Sequence, residues 1–405
     1  MGSGARTFGM CGAHMSIADD ATAASNNPGG LIQLKKPEIS IVGAFAHQME
    51  SNTFDNYPNA SGVQTISLDH LNYASATFPF HVFDCNMIVS INYQHLFDFT
   101  RQWDFSFQQQ EQDLLANHNY HYDQKGKLSA IGLAYGIQIN RILSLGMTLN
   151  FWEDFQGSNT WKELTHHNVH GQDAAGSFAY DILRVNTYEF NGFNVNLGMM
   201  WKINKTYTLS AILKTSFTAN LKHERRTVYK VKLNDLPEKS FPGITKTNEK
   251  MDMPMVSGIG IACRFSDRLT IATDIYRTEW QDFLIKDAQG KEKSPVSGLD
   301  KNISDISETY QIRAGLEYLI IDPIQKYVIP LRCGLFYDPA PAEKSPDDFL
   351  GFGLGTGMAF GPYIFDIAYQ CRFSRNTGRS ILQSLGFSQD ITSHSLYLSF
   401  IYHFK

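Results

Sequence analysis

The chain has 405 residues, 43% of them hydrophobic and 13% aromatic, with 28 Phe, 19 Tyr and a formal net charge of −5. It holds no run of about 18 apolar residues, which excludes a transmembrane helix, and its mean hydropathy is −0.26. The charge is modest and forms no polybasic run, against a nucleic-acid partner, and five scattered cysteines (Cys11, Cys85, Cys263, Cys333, Cys371) make no CxxC pair, so neither a zinc site nor a disulfide framework is indicated.

The first segment is rich in glycine and alanine: Gly4-Ala5-Arg6-Thr7-Phe8-Gly9-Met10-Cys11-Gly12-Ala13, then Ala18-Asp19-Asp20-Ala21-Thr22-Ala23. Such a backbone folds tightly and fits a confined space. The second run is expected to make one short helix. Asn27-Pro28-Gly29 ends it, because proline pushes its predecessor out of the helical region and glycine allows the turn.

Beyond residue 36 the chain settles into alternating segments. In Leu143-Ser144-Leu145-Gly146-Met147-Thr148-Leu149-Asn150-Phe151 the apolar residues fall on odd numbers. The same period of two recurs at 195–199, 207–211, 259–265, 312–318 and 396–400. Period two means strands with one apolar and one polar face. Their length exceeds the usual soluble strand of about five or six residues and suits a tilted membrane crossing. We expect about fourteen strands, beginning near Pro37, Gln64, Asn86, Leu128, Ile142, Val185, Lys205, Asp252, Arg268, Glu308, Lys326, Asp347, Pro362 and Ile391. Every second connection is tight, as at Asn140-Arg141, Asn204-Lys205, 266–268, 321–325 and Gly361-Pro362. The others are long polar loops at 101–127, 155–184, 223–250 and 282–307. That asymmetry is the mark of an outer-membrane barrel with both termini on the periplasmic side. The aromatic content agrees, with Phe and Tyr available for girdles.

The opening segment resembles the N-terminal hatch of the FadL/TodX family of outer-membrane channels for long-chain fatty acids and other hydrophobic compounds. The family pattern runs Gly-Ala-Arg-x-x-Gly-Met-Gly-Gly-Ala, then Ala-Asp-Asp-Ala-x-Ala, then Asn-Pro-Ala-Gly-Leu. Cys11 stands where it has glycine and Gly29 where it has alanine, both small for small. The resemblance continues through Asp252-Met253-Pro254, 265–274, Glu279-Trp280-Gln281-Asp282-Phe283, 310–318 and 330–338, and so covers essentially the whole chain. Barrels of this kind usually finish on an aromatic, whereas this chain ends Phe404-Lys405. No secretory leader is read ahead of the hatch, so an exported protein is expected here in mature form.

The resemblance implies an all-β transmembrane antiparallel barrel, residues 37–405, plugged by a hatch of short helices, residues 1–36. It implies a monomer in the bacterial outer membrane, in contact with membrane lipid, that passively takes up hydrophobic small molecules. Long-chain fatty acids lead, followed by aromatic hydrocarbons. Outer loops would collect the ligand, a pocket beside the hatch would bind it, and hatch movement or a lateral gap would release it. The rival reading is a non-transporting scaffold of a secretion or surface-attachment machine.

Alternation places Lys214, Arg264, Asp274, Arg313, Glu317, Arg332, Asp366 and Arg372 inside, where charges must be paired or hydrated. Arg313 and Arg332, with Arg6 in the hatch, are candidates to grip a fatty-acid carboxylate, to which a guanidinium fork is matched; bracing of hatch and wall is the alternative. Phe8, Met10, Met15 and Ile17 are candidates for a greasy pocket, Met being adaptable to varied ligands, against simple plug-to-wall packing. Trp103, Phe105, Phe107, Leu114 and Leu115 form an amphipathic patch between the third and fourth strands, a candidate for the outer groove that the resemblance implies, against loop packing. Asn27, Pro28 and Gly29 are read as the hatch turn, and Pro79 as a point where the wall distorts. His118, His121, His166, His167 and His170 lack carboxylate or cysteine support, so no metal is expected. No cofactor motif is present. His95 and His403 lie near strand ends, but no nucleophile is marked, so no enzyme is expected. Cys263, Cys333 and Cys371 share the outward register.

Overall fold

The computed structural model describes residues 3–83, 85–154 and 157–404. Met1 and Lys405 lie outside the described residues. The strands are β1 (Glu38–Phe54), β2 (Gly62–Val82), β3 (Cys85–Asp98), β4 (Arg101–Glu111), β5 (Leu114–Gln138), β6 (Leu143–Trp152), β7 (Thr160–Asp173), β8 (Gly176–Lys202), β9 (Tyr207–Lys214) and β10 (Phe217–Leu233). They continue as β11 (Lys239–Met253), β12 (Val256–Arg264), β13 (Leu269–Thr278), β14 (Leu284–Lys286), β15 (Glu292–Lys293), β16 (Thr309–Asp322), β17 (Tyr327–Tyr337), β18 (Leu350–Phe360), β19 (Tyr363–Thr377) and β20 (Phe387–His403).

Fourteen of these close an antiparallel barrel in the order β1, β2, β3, β5, β6, β8, β9, β12, β13, β16, β17, β18, β19, β20. β20 returns to β1 with Glu38 opposite His403 and Phe54 opposite Phe387, which closes the barrel between its first and last strands. Residue alternation sets which face looks out. On β1, Ile39, Ile41 and Phe45 are exposed while Ser40, Val42 and Ala44 are buried. The same holds on β17 and β19, where Leu331, Leu335, Phe365 and Ile367 face outward and Arg332 and Asp366 face inward. An exposed apolar belt around a buried polar interior is the inverse of a soluble barrel, and only a lipid surround makes it stable.

Four expectations need correction. The long connections are not loops for the most part. β4 and β7 pair with the outer half of β5, β7 and β10 with that of β8, and β11 with β10, extending the wall as a second sheet beyond the apolar belt. Polar sequences there pair through their backbones, which period-two hydrophobicity does not reveal; Phe155, where one of these loops was expected to begin, is outside the described residues. The register of β2 on β3 runs unbroken past Pro79, and the ladder stops at Tyr73–Gln94. Arg264 is exposed at the turn end of β12. Of the cysteines, Cys333 is exposed and Cys371 is buried, paired opposite Phe352.

Residues 3–34 lie inside the barrel, touching inward residues of strands all round the wall. Helix α1 (Ala5–Gly9) is one of the short hatch helices that the resemblance implies, placed in the Gly4–Ala13 run. The expected helix shrinks to α2 (Ala23–Asn26), because Asp20 Oδ1 accepts the Thr22 N–H at 2.8 Å and forms a turn instead. Asn27 ends α2, and Pro28–Gln33 make a 3₁₀ turn. Cys11 adopts φ 56°, the left-handed region that glycine favours. The glycine of the resembling pattern is therefore matched in size but not in backbone freedom.

The outer sheet carries a pH-sensitive pair. His118 Nδ1 and His167 Nε2 lie 3.1 Å apart, and Tyr120 stacks on His167. Burial first, then the nearby His118 and His166, lowers His167 to about 4; burial also lowers His118. The folded values lie below the unfolded ones, so the pair's stability is present above about pH 6.5 and is lost as pH falls toward about 4. Protection at residues 116–121 and 165–170, taken as exchange relative to the intrinsic rate at each pH, should fall on acidification from pH 7 to 4 and should not change between pH 7 and 8.

Candidate functional site

The hatch is fixed to the wall by one buried ionic chain. Glu317 on β16 accepts from Arg6 of α1 through both oxygens, at 2.9 and 2.8 Å. The same Oε2 accepts from Arg332 on β17 at 2.7 Å, and Arg332 reaches Asp366 on β19 at 2.5 Å. Arg6 also pairs with Asp19 of the hatch. Arg313 donates to the Cys11 carbonyl at 3.0 Å and lies 3.7 Å from Asp338. Asp274 on β13 accepts the backbone N–H groups of His14 and Met15, each at 2.9 Å. Arg6, Arg313 and Arg332 are therefore all engaged with protein groups.

Neutral contacts complete the ring. Tyr73 donates to the Ala21 carbonyl, Thr148 to that of Ala24, and Ser144 to that of Gly29, each at 2.7 Å. Asn27 Nδ2 donates to Met15 O at 3.0 Å and Met199 O at 3.1 Å, while its Oδ1 accepts from Gly29 N at 3.0 Å. One side chain thus ties together the hatch, its turn and strand β8. Pro28 approaches so closely that a Cβ on Gly146 would meet its carbonyl at 2.3 Å, and one on Gly334 would meet the Met10 carbonyl carbon at 2.7 Å. Only glycine leaves room at these points.

The apolar hatch residues are packed against the wall. Phe8 stacks on Tyr397 with ring centroids 3.6 Å apart. Met10 sits against Ala262 and Ala272, with half-buried Ile17 alongside, and Met15 against Ile212 and Tyr276.

Above the hatch comes a polar band of Asn92, Gln94, Asn150, Asn194 and Asn196. Beyond it lies an apolar cluster that sequence reasoning missed: Leu128, Trp152, Trp161, Phe190, Leu221, Met251 and Met253. A signal existed. Leu128, Trp152 and Phe190 are even-numbered on strands whose outward residues are odd, so they put large apolar groups on the inward register.

A second cluster lies near the outer end of β1 and β20. Phe105 and Phe107 join Phe54, Trp103 and Phe387, with Tyr57 and Tyr120 packed alongside. Trp103 donates to Glu50 at 2.7 Å, and the Arg101 guanidinium lies 4.6 Å from its ring centroid. Leu114 and Leu115 sit apart from this cluster, at the tip of the β4–β5 hairpin.

The wall itself is incomplete on this side. Above Tyr73–Gln94, residues 62–72 of β2 pair with β1 alone, while β3 pairs with β5. The two strands fork outward from the hatch, where β4 comes alongside β2 and Gln64 Nε2 donates to the Asp104 carbonyl at 2.7 Å.

The family model for outer membrane protein transport protein (OMPP1/FadL/TodX) matches residues 4–350. A solved Pseudomonas aeruginosa FadL homologue is similar in structure over 100% of this chain and 99% of its own, with a TM-score of 0.65 at 14% identity. The Pseudomonas putida toluene transporter TodX gives 0.61 at 12% identity, covering 100% and 98%. The Ralstonia pickettii toluene transporter TbuX gives 0.54 at 12% identity, covering 100% and 99%. At such identities the likeness concerns the fold. A comparison with curated proteins finds no match.

Glu317→Gln leaves two buried guanidinium groups without their shared anion. Breaking a buried pair this way costs about 3–5 kcal/mol, borne by hatch docking because the wall's ladder does not use it. Hydrogen exchange at residues 5–12 should rise sharply, with exchange in β16–β20 unchanged and heat-modifiable migration retained.

Proposed function

Because the chain belongs to the outer membrane protein transport family (OMPP1/FadL/TodX), we propose that this outer-membrane barrel is a plugged channel for passive uptake of hydrophobic small molecules, long-chain fatty acids first among them. The family consists of transport channels, not enzymes. The observation that carries the reading is a lumen closed by residues 3–34, apolar beyond its polar band, and forked sideways between β2 and β3. A water-filled pore offers a greasy solute nothing; a shielded apolar route does.

In this reading residues 1–36 act as the hatch and 37–405 as the barrel, and the protein works as a monomer surrounded by membrane lipid. The ligand first meets the Phe54–Phe105–Phe107–Phe387 surface. Arg101 at its edge lies over the Trp103 ring and 3.6 Å from Glu50, so this surface offers apolar area rather than a free cation. The ligand then enters the Trp152–Phe190 region. Shifting of the hatch exposes Phe8, Met10, Met15 and Ile17, and release follows through the fork. Arg6, Arg313 and Arg332 brace the hatch. The similar structures named for toluene transport support aromatic hydrocarbons as a second cargo class.

Two measurements test this. Mass spectrometry of lipids extracted from the purified protein should return fatty acids. The double variant Asn27→Ala/Pro28→Ala removes the side-chain bonds that hold the hatch turn, worth about 1 kcal/mol each. It should reach normal membrane levels, change fatty-acid uptake severalfold and leave uptake of small sugars unchanged. Unchanged fatty-acid uptake together with stoichiometric partner proteins and no lipid would establish the scaffold reading. Arg332→Met should affect acids and uncharged hydrocarbons alike; a loss confined to acids would make that arginine a carboxylate ligand.

A further inference from the structure

We propose that His70, His95 and Asp98 form a site for a divalent transition-metal ion, placed where the barrel wall forks. β2 and β3 last pair at Tyr73–Gln94, yet both continue outward. His70 lies just beyond that point on β2, and His95 and Asp98 just beyond it on β3. The two imidazole rings stack with centroids 3.9 Å apart. One donor atom from each of the three residues lies within 4.8 Å of the other two.

The second observation is a lack of partners. The His95 side chain is only 5% exposed, and both its ring nitrogens are buried without a hydrogen bond, as is His70 Nδ1. Buried polar atoms are otherwise almost always satisfied, so three orphan nitrogens at one spot require a cause. Asp98 is oriented for the task. Its Oδ1 accepts the Thr100 N–H at 2.8 Å, and its Oδ2 stands 3.7 Å from His95 Nε2, too far for a hydrogen bond. A backbone donor that fixes one carboxylate oxygen is the usual support for a ligating one.

Two imidazoles and one carboxylate suit zinc, cobalt or nickel, whereas calcium and magnesium favour oxygen-rich shells. Tetrahedral zinc holds its donors about 3.4 Å apart, so a bound ion draws the three groups together by roughly an ångström. A water would complete the shell. The other grouping of this kind, His14 with Asp19 and Asp20, has its carboxylates engaged by Arg6 and Thr22. His118 and His167 already bond to one another. An ion at the fork would join β2 to β3 where no backbone bond does. Its effect on transport rests on the proposed lateral release.

The full chain in detergent, stripped with a chelator, should be titrated with Co²⁺ and Zn²⁺ by calorimetry and, for Co²⁺, by visible absorption. One ion per chain is expected, with affinity reduced at least tenfold by His95→Phe and by Asp98→Asn. The double variant His118→Phe/His167→Phe should bind as the parent does. Heat-modifiable migration verifies folding, and Asp98→Asn serves should His95→Phe fail it. No bound ion in the parent, or affinity unmoved by folded Asp98→Asn, overturns the site. With the site filled by Zn²⁺, fatty-acid uptake should fall in the parent but not in Asp98→Asn. Uptake unaffected by bound Zn²⁺ overturns the control of the fork. Absent uptake in the metal-free parent overturns the channel reading and leaves the metal site standing.

Discussion

The place of α1 in the lumen depends on one shared carboxylate. Glu317 lies between Arg6 from the plug and Arg332 from the wall, and Arg332 passes the charge on to Asp366. Buried charges are tolerable only when each has its partner, so the chain settles the position of α1 as well as its presence. Asp274, by accepting the His14 and Met15 N–H groups, fixes the next stretch in the same way. The barrel could close its own ladder without these contacts. The closed lumen could not exist without them.

Ionic contacts alone would leave the plug held at side-chain distance. The glycines of the wall remove that distance. Where Gly146 faces Pro28 and Gly334 faces Met10, backbone meets backbone directly. The uncharged bonds from Tyr73, Ser144 and Thr148 then satisfy hatch carbonyls that no helix of four or five residues could satisfy internally. A plug with so little secondary structure is stable only because the wall supplies its hydrogen-bond partners.

Above the hatch the interior changes character. A band of asparagines gives way to buried tryptophan, phenylalanine and methionine, and on one side the pairing of β2 with β3 ends. The outer sheet lengthens β5 and β8 and folds the long connections into a rigid rim around this region. The aromatic cluster at the outer end of β1 and β20 and the fork between β2 and β3 thus fall on one side of one barrel, while the hatch fills the lumen.

The sequence by itself determined the barrel. Period-two alternation from residue 143 onward, tight turns at every second connection and the strand count follow from which residues prefer lipid, and that preference is local. The resemblance at Arg6 to Ala13 and at Asn27 to Gly29 identified the hatch. Tertiary structure decided the rest. That Arg6 would share Glu317 with Arg332 depends on residues some 300 positions apart meeting across the lumen, which no local pattern encodes. Polar strands such as β7 and β10 carry no apolar alternation, because neither face meets lipid, so they read as loops until their backbones are seen paired. Leu128, Trp152 and Phe190 were legible as inward apolar residues, but only the closed wall brought them together. The fork at His70 and His95 arises where a ladder stops, and the end of a pairing is a property of two strands together.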